Sequence, residues 1–366
     1  MYLAVLGRQS EISLAELSTL FSDVKKLSPS LASFTSATPP QIDRLGGTLK
    51  LAQKLDIKPL DYLSHLPAGK ITLGVSDYSK NASRQTATTT ALKLKKILVR
   101  HGRSLRVVAN QTTALSTATS LHNGLSGANP RKVELIKVDE TWYKVIGVQD
   151  IDAYAHRDQA RPARDAKVGM LPPKLAQILI NLCGDLPAGS RILDPFCGTG
   201  VILQEAILMG YTAYGTDLSE KMVEYSKRNL EWLKTTKNAD GNFEIKVGDA
   251  TSFQWNPPIG AVACEGYLGK PMSIIPSEIK LKTEMQECQA IIIGFLKNLA
   301  TQIKPSTPVT IAMPAWLREN GQYLRLDILD LIDEMGYNVN NKSREGLLYH
   351  RENQIVARDI IILRKQ

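Results

Sequence analysis

The chain has 366 residues, of which 43% are hydrophobic and 22% charged, and its formal net charge is +9 at pH 7. This composition is typical of a globular protein with two or three domains and excludes a disordered or fibrous chain. No apolar run reaches the ~20 residues of a membrane-spanning helix. The N-terminal segment lacks the basic start and cleavage site of a secretory signal, so we expect a cytoplasmic protein.

The four cysteines are widely spaced and form no C-x-x-C pair, and no histidine cluster lies near them. This spacing supports neither a zinc site nor a disulfide framework. We therefore expect free, buried thiols and no metal centre. The cysteines are Cys183, Cys197, Cys264 and Cys288.

Basic charge is concentrated in the first half of the chain. Residues 1–170 contain 24 Lys and Arg against 14 Asp and Glu, whereas residues 171–366 contain 21 against 22. Residues 78–138 carry eleven basic side chains and one acid, Glu134. Such a surplus is typical of a polyanion-binding surface, although a basic face kept for solubility has the same composition. The candidate RNA-binding residues are Lys93, Lys96, Arg100 and Arg103, which recur at helical spacing, with Arg131 and Lys132.

The N-terminal half mixes short strands and helices. The pattern predicts strand Tyr2–Leu6, a helix over 14–21 capped by Ser13 with Glu16 three residues later, and a small α+β segment over residues 1–61. The further predicted elements are strand Ile71–Val75, helix Thr88–His101, strand Leu105–Val108, helix Leu115–Leu125, and strands Val133–Val138 and Thr141–Val148.

Residues 151–168 are polar, contain Pro162 and lack apolar periodicity, which predicts a linker. Strands and helices then alternate, which predicts a doubly wound parallel sheet. The predicted elements are helix Pro173–Leu182, strand Arg191–Asp194, helix Val201–Met209, strand Thr212–Asp217, helix Glu220–Leu233, strands Phe243–Val247, Ala261–Cys264 and Val309–Met313, helix Leu324–Glu334, and a closing hairpin of Gly346–Tyr349 and Ile355–Leu363.

Three predicted strands each end in an acid: Asp194, Asp217 and Asp249. The first leads into the turn Gly198-Thr199-Gly200, which allows a ligand to approach the backbone. Leu203 occupies the position of the third glycine of a dinucleotide-binding motif, which argues against a pyrophosphate site. Acids at successive strand ends are typical of an S-adenosylmethionine site, although each acid taken alone also suits a helix cap.

The segment Asp194–Gly200, the preceding GMLPPKLA segment at 169–176, and the C-terminal LYHR at 348–351 resemble the THUMP-domain tRNA guanine-N2 methyltransferases, which modify guanosine at tRNA position ten. The resemblance implies an α/β fold: a Rossmann-like class I methyltransferase domain over 169–366, preceded by an α+β THUMP-like RNA-binding domain over 62–150 and a ferredoxin-like segment over 1–61. It also implies a protein that binds tRNA and S-adenosyl-L-methionine. Because the sequence has no obvious exposed heptad or apolar edge, we expect a monomer. The implied cofactor-binding residues are Pro172, Pro173, Lys174, Asp194, Phe196, Gly198, Gly200, Asp217, Leu218, Asp249 and Ala250.

The catalytic segment departs from this family. Where the family has Asp-Pro-Pro-Tyr at the end of the fourth strand, this chain has Cys264-Glu265-Gly266-Tyr267. An exocyclic amine is a poor nucleophile, and acceptors for its N–H groups orient its lone pair toward the methyl group. Glu265 and the Gly266 region supply acceptors, and Tyr267 supplies a stacking face for a flipped base.

Glu265, Gly266 and Tyr267 are therefore the candidate catalytic residues of a tRNA methyltransferase that forms N2-methylguanosine. Three alternatives remain open at this point. In the first, the altered motif changes the target atom or base. In the second, the protein is a tRNA-binding pseudo-methyltransferase, an alternative that is favoured if Cys264 aligns with the family's acid. An amino-methyltransferase acting on another RNA or on DNA is the third.

Overall fold

The computed structural model describes residues 1–165, 170–237, 239–341, 346–352 and 354–366. These residues form two compact units, Met1–Tyr154 and Ala155–Gln366. Part of the predicted linker is helical in the structure, because α5 spans Ile151–Gln159. Residues 166–168 of that linker lie outside the described residues.

The first unit is built on one eight-stranded sheet in the order β2-β3-β1-β4-β8-β7-β5-β6. Because β4 pairs with β8, residues on both sides of the expected boundary at 61/62 share this sheet. The elements are β1 (Tyr2–Leu6), α1 (Ser10–Leu20), β2 (Ser22–Ser28), β3 (Leu31–Thr35), β4 (Thr48–Lys54), α2 (Pro59–Ser64), β5 (Ile71–Asp77), α3 (Arg84–Arg100), β6 (Leu105–Val107), α4 (Thr117–His122), β7 (Lys132–Val138) and β8 (Thr141–Val148).

The predicted cap of the first helix is wrong. Helix α1 begins at Ser10, so Ser13 lies inside it and bonds back to the carbonyl of Gln9. The buried Glu16 carboxylate instead accepts hydrogen bonds from the backbone N–H groups of Gly46 and Gly47, both at 2.9 Å. The Glu16 side chain, which the sequence pattern assigned to a helix cap, therefore anchors a loop to the helix.

A buried ion pair lies within the first unit. The Lys50 Nζ donates to Glu134 Oε1 at 2.6 Å, and the two side chains are 2% and 0% exposed. Lys50 also donates to the Leu115 carbonyl and to Ser120 Oγ, both at 2.8 Å. The hydroxyls of Ser76 and Ser120 donate to the Glu134 carboxylate at 2.6 Å each. These hydrogen bonds attach the segment around Leu115 to strands β4 and β7.

The second unit confirms the Rossmann-like α/β architecture. Its sheet runs in the order β11-β10-β9-β12-β13-β17-β15, with parallel pairing from β11 to β13 and an antiparallel β17. The elements are α6 (Pro173–Asn181), β9 (Arg191–Asp194), α7 (Val201–Leu208), β10 (Thr212–Asp217), α8 (Glu220–Lys237), β11 (Phe243–Val247), β12 (Ala261–Glu265), α9 (Glu278–Ala300), β13 (Pro308–Leu317), β14 (Tyr323–Arg325), α10 (Leu329–Glu334), β15 (Tyr337–Val339), β16 (Leu348–Tyr349) and β17 (Val356–Lys365).

Three features of this unit differ from the expectation, and one of them is strand β15, which was not predicted. The helix expected over Leu324–Glu334 begins only at Leu329, because Tyr323–Arg325 pair with the end of β13 as strand β14. Helix α9 was not predicted, although its buried side chains recur at helical spacing and form part of the core. Among the described residues, no helix combines the length and apolar composition needed to cross a lipid bilayer.

Candidate active site

A cavity of about 980 Å³ lies where strands β9, β10 and β12 end. The carboxyl edge of a parallel sheet is the usual ligand site of doubly wound folds. Most of the residues predicted from sequence meet there. Those that line the cavity are Asp194, Phe196, Gly198, Asp217, Leu218, Asp249, Ala250, Glu265, Gly266 and Tyr267.

Four predicted cofactor-binding residues do not line this cavity: Pro172, Pro173, Lys174 and Gly200. The chain turns into α6 at Pro173, which is buried, and the preceding Met170 and Leu171 line the cavity instead. Gly200 has a φ of +81° at the start of α7, where an added Cβ would lie 2.9 Å from Ser226 Oγ. The positive φ and the close packing against α8, rather than contact with the cavity, explain the glycine at this position.

Asp217 holds the glycine turn in place. Its Oδ2 accepts the Gly198 N–H and its Oδ1 accepts the Ser219 N–H, both at 2.9 Å. Burial raises the pKa of this carboxyl group, and the two N–H donors oppose that effect. Asp249 accepts similarly from the N–H and hydroxyl of Thr251, at 2.8 and 2.7 Å. Both acids therefore shape local turns as well as line the cavity.

Asp194 is the most deeply buried acid of the cavity wall, with 2% exposure. Burial raises the pKa of its carboxyl group well above the ordinary value. The N–H of Phe196, at 3.2 Å, opposes this rise, while Asp217 and Glu265 add to it. A cation in the cavity would favour the ionised form of Asp194, so this wall suits a positively charged ligand group.

Glu265 ends strand β12 and is held by Arg358 of β17. Arg358 Nε donates to Glu265 Oε1 at 2.5 Å, and the two side chains are 4% and 16% exposed. Burial raises the pKa of the Glu265 carboxyl group, whereas Arg358 and, more weakly, Arg351 lower it. Among the described residues, no hydrogen bond is made by the second oxygen, Oε2. This oxygen is available to a ligand donor.

The residues after Glu265 turn toward helix α9. The Gly266 N–H donates to the Ala312 carbonyl at 2.9 Å, which continues the pairing of β12 with β13. The Tyr267 hydroxyl donates to Glu287 Oε1 at 3.4 Å. Lys270 Nζ lies 3.5 Å from Glu287 Oε2, and both residues line the cavity. Sequence reasoning missed this pair because the helix that carries Glu287 was not predicted.

The cysteines near the site are packing residues, as expected. All four are free and buried, and Cys197 and Cys264 are 4% and 0% exposed. Burial, reinforced by Asp194, raises the pKa of both thiols well above the ordinary value. A protonated buried thiol is a poor nucleophile. No cluster of metal-ligating side chains occurs among the described residues.

The candidate RNA-binding residues belong to the first unit. On α3, Lys93, Lys96 and Arg100 are exposed, and Arg131 and Lys132 at the start of β7 are also exposed. Arg103 is only half-buried and donates to the carbonyls of Leu66 and Pro67 at 2.9 and 3.0 Å, so part of its donor capacity serves the fold.

Comparison with known proteins bears on the second unit. Residues 161–288 match the family UPF0020, described as RMKL-like, methyltransferase domain. A tRNA (guanine(10)-N2)-dimethyltransferase of Methanothermobacter thermautotrophicus is 32% identical over 181 residues, which are 49% of this chain and 47% of that protein. The same enzyme of Pyrococcus abyssi is 45% identical over 84 residues, 23% of each chain. The structure of TrmN from Thermus thermophilus covers 100% of this chain and 99% of its own, with 18% identity and a TM-score of 0.48.

These matches support the methyltransferase part of the resemblance seen in the sequence, because residues 161–288 are similar to a methyltransferase domain. The THUMP-like part stays a prediction. The matched segments span less than half the length of the two curated relatives. The matched family region includes the glycine turn, the strand-end acids and Glu265.

Proposed function

We propose that this chain is an S-adenosyl-L-methionine-dependent tRNA methyltransferase that forms N2-methylguanosine by direct transfer to the exocyclic amine. The observation that carries the proposal is the convergence of three strand-end acids with Glu265 and Tyr267 around one cavity. The acids suit the cofactor, and the other two side chains suit an amine on a planar base. The similarity to tRNA guanine-N2 enzymes supports guanosine as the target.

The cavity fits the cofactor on structural grounds. Asp217 lies at the end of the second strand and lines the cavity, where its carboxylate would bind the ribose hydroxyls, and Asp249 with Ala250, which also line the cavity, would contact the adenine. Asp194 and the turn at Gly198 would hold the methionine part, whose cationic groups suit a buried carboxylate. When bound, S-adenosylmethionine supplies an electrophilic methyl group.

The chain's own residues orient the amine. Glu265 Oε2 accepts one N–H of the target amine, and a backbone carbonyl near Gly266 accepts the other, so that the nitrogen lone pair points at the methyl group. Tyr267 presents its ring to the flipped base. Transfer leaves positive charge on the amine until a proton departs, and the Glu265 carboxylate stabilises that charge.

The first unit supplies the contacts to RNA in this proposal, with residues 62–150 as a THUMP-like domain. The exposed cations of α3 and β7 would contact phosphates, which give affinity without base recognition. The chain would act on tRNA as a monomer in the cytoplasm.

The test incubates the protein with labelled S-adenosylmethionine and unmodified tRNA transcripts, then identifies the methylated nucleosides by mass spectrometry. We expect N2-methylguanosine from the unmutated protein. Glu265→Ala should lower turnover with little change in cofactor affinity, whereas Asp217→Ala should weaken cofactor binding. Binding of cofactor and tRNA without any methylated nucleoside would favour a pseudo-methyltransferase, and a product from duplex DNA but not tRNA would favour a DNA amino-methyltransferase.

A further inference from the structure

We propose that Arg358 is a positioning residue for the transfer reaction: its guanidinium binds Oε1 of Glu265 and leaves Oε2 as the acceptor for the target amine. This inference rests on the proposed function, because it assigns a role within the same site. It concerns a residue 93 positions away in the chain.

The sheet register brings the two side chains together. Glu265 pairs with Ala312 across β12 and β13, and Arg358 pairs with Pro314 across β13 and β17. Since Ala312 and Pro314 are two residues apart on one strand, all four side chains belong to the same face of the sheet. A small residue and a proline between them leave room for the two long side chains to meet above β13.

The buried ion pair between Arg358 and Glu265 should add little net stability to the fold. Arg358 and Glu265 are both withdrawn from water, and removal of water from two charges costs about as much free energy as their attraction returns. Arg358 also makes a weaker contact through Nη1, at 3.5 Å from Gln354 Oε1. The guanidinium is thus held on one side by Gln354 and directs Nε at the carboxylate.

The other charged groups around Glu265 make its ionisation depend on Arg358. Asp194 at the end of β9 lies on the same face of the sheet, and its charge is coupled to that of Glu265. From the helix α9 side, Glu284 and Glu287 add negative charge around Tyr267. Arg351 is the other cation that lowers the pKa of Glu265, and its effect is smaller than that of Arg358.

Loss of Arg358 therefore has a defined chemical consequence. Without its guanidinium, burial raises the pKa of Glu265 further, so a larger fraction of the carboxyl group is protonated at a given pH. A protonated Glu265 accepts hydrogen bonds from the amine poorly. The proton is lost again at high pH, which restores the acceptor.

The experiment compares the pH profiles of kcat/KM for tRNA methylation by the unmutated protein, Arg358→Met, Arg358→Lys and Glu265→Gln, between pH 6 and 9. We expect the acidic limb of Arg358→Met to shift upward by at least about one pH unit, so that activity near pH 6 falls about tenfold or more while activity near pH 9 largely recovers. Arg358→Lys, which keeps the charge, should shift less. Glu265→Gln, which has no proton to lose at this position, should lack this limb.

A second readout does not need activity. An infrared titration follows the carbonyl stretching band of protonated carboxylic acids. The absorbance that is lost from this band in Glu265→Gln belongs to Glu265. We expect this band to persist to higher pH in Arg358→Met than in the unmutated protein. An unshifted band overturns the inference. If the band shifts but no protein methylates tRNA, the ion pair stands and the proposed function fails.

The kinetic data separate positioning from a structural role. A loss of activity in Arg358→Met by the same factor at every pH, or no loss at all, overturns the inference. Cofactor affinity measured by calorimetry serves as the folding control, because Arg358 does not line the cavity and its replacement should leave this affinity within about twofold of the unmutated value. If Arg358→Met does not fold, the pH profile and the infrared titration of Arg358→Lys decide the question, and both should show the smaller upward shift expected of that variant.

Discussion

Replacement of Lys50 by methionine should destabilise the first unit strongly. The substitution removes the charge partner of Glu134 and the donor to the Leu115 carbonyl, and Glu134 then stays 0% exposed with only two serine hydroxyls as donors. Removal of one partner of a buried ion pair costs about 3–5 kcal/mol, because the remaining charge is left uncompensated. The double variant Lys50→Met/Glu134→Gln should be more stable than Lys50→Met, since an amide is neutral, its oxygen can accept from the Ser76 hydroxyl, and its NH2 group can donate to the Ser120 hydroxyl oxygen.

Amide hydrogen exchange followed by mass spectrometry measures this effect for each unit in the intact chain. Peptides from β4 and β7 should exchange faster by a factor of about a hundred to several thousand, which corresponds to the expected loss of free energy. Peptides from β13 in the second unit serve as the internal control and should be unchanged. A loss below about 1 kcal/mol, or a double variant less stable than the single one, would refute the argument from an uncompensated charge.

Three further outcomes are expected. In thermal melts, Gly200→Ala should lower the free energy of unfolding by about 1–3 kcal/mol more than Gly210→Ala. The two glycines have nearly the same φ, +81° and +83°, but of the two only Gly200 would place an added Cβ against other atoms. Equal losses would exclude this contact as the cause. Binding of the cationic cofactor should tighten as pH rises toward the raised pKa of Asp194, since binding favours its ionised form and releases a proton; calorimetry should show a flatter dependence for Asp194→Asn, and identical profiles would contradict this. Affinity for tRNA should fall steeply with salt, and Lys96→Ala/Arg100→Ala should reduce the slope of the log–log plot, whereas an unchanged slope would place the RNA elsewhere.

The cofactor side of the site could be predicted from sequence because its signals are local. Asp194 and Asp217 each follow a short apolar strand, and parallel strands bring such positions to one edge of the sheet. The glycine turn could be placed in the same way. Gly200 shows the limit of this reasoning, because its neighbours Ser226 and Leu230 come from a later helix and the sequence does not show their approach.

The base side of the site was harder to predict because it depends on contacts between distant segments. Arg358 meets Glu265 only through the register of three strands, and a single sequence carries no signal for that register. The position of Glu287, in contrast, could have been predicted, because the helix α9 that carries it has buried apolar residues at helical spacing. The pair Ser13 and Glu16 shows how a local pattern misleads when tertiary contacts determine the role of a side chain. The spacing of the two residues is that of a helix cap, but Glu16 binds a distant loop and not the helix start.

The pairing of β4 with β8 has a consequence for how the chain is made. Lys50 lies opposite Val148, so strand β4 leaves the ribosome about 100 residues before its partner strand. At synthesis rates of about 5–20 residues per second, this edge of the nascent sheet waits roughly 5–20 s for its neighbour. Over most of that time Lys50 also has no Glu134 to neutralise it. A nascent chain in which β4 has left the ribosome but Glu134 has not would thus display an open strand edge that carries an unpaired lysine, a species suited to capture by chaperones.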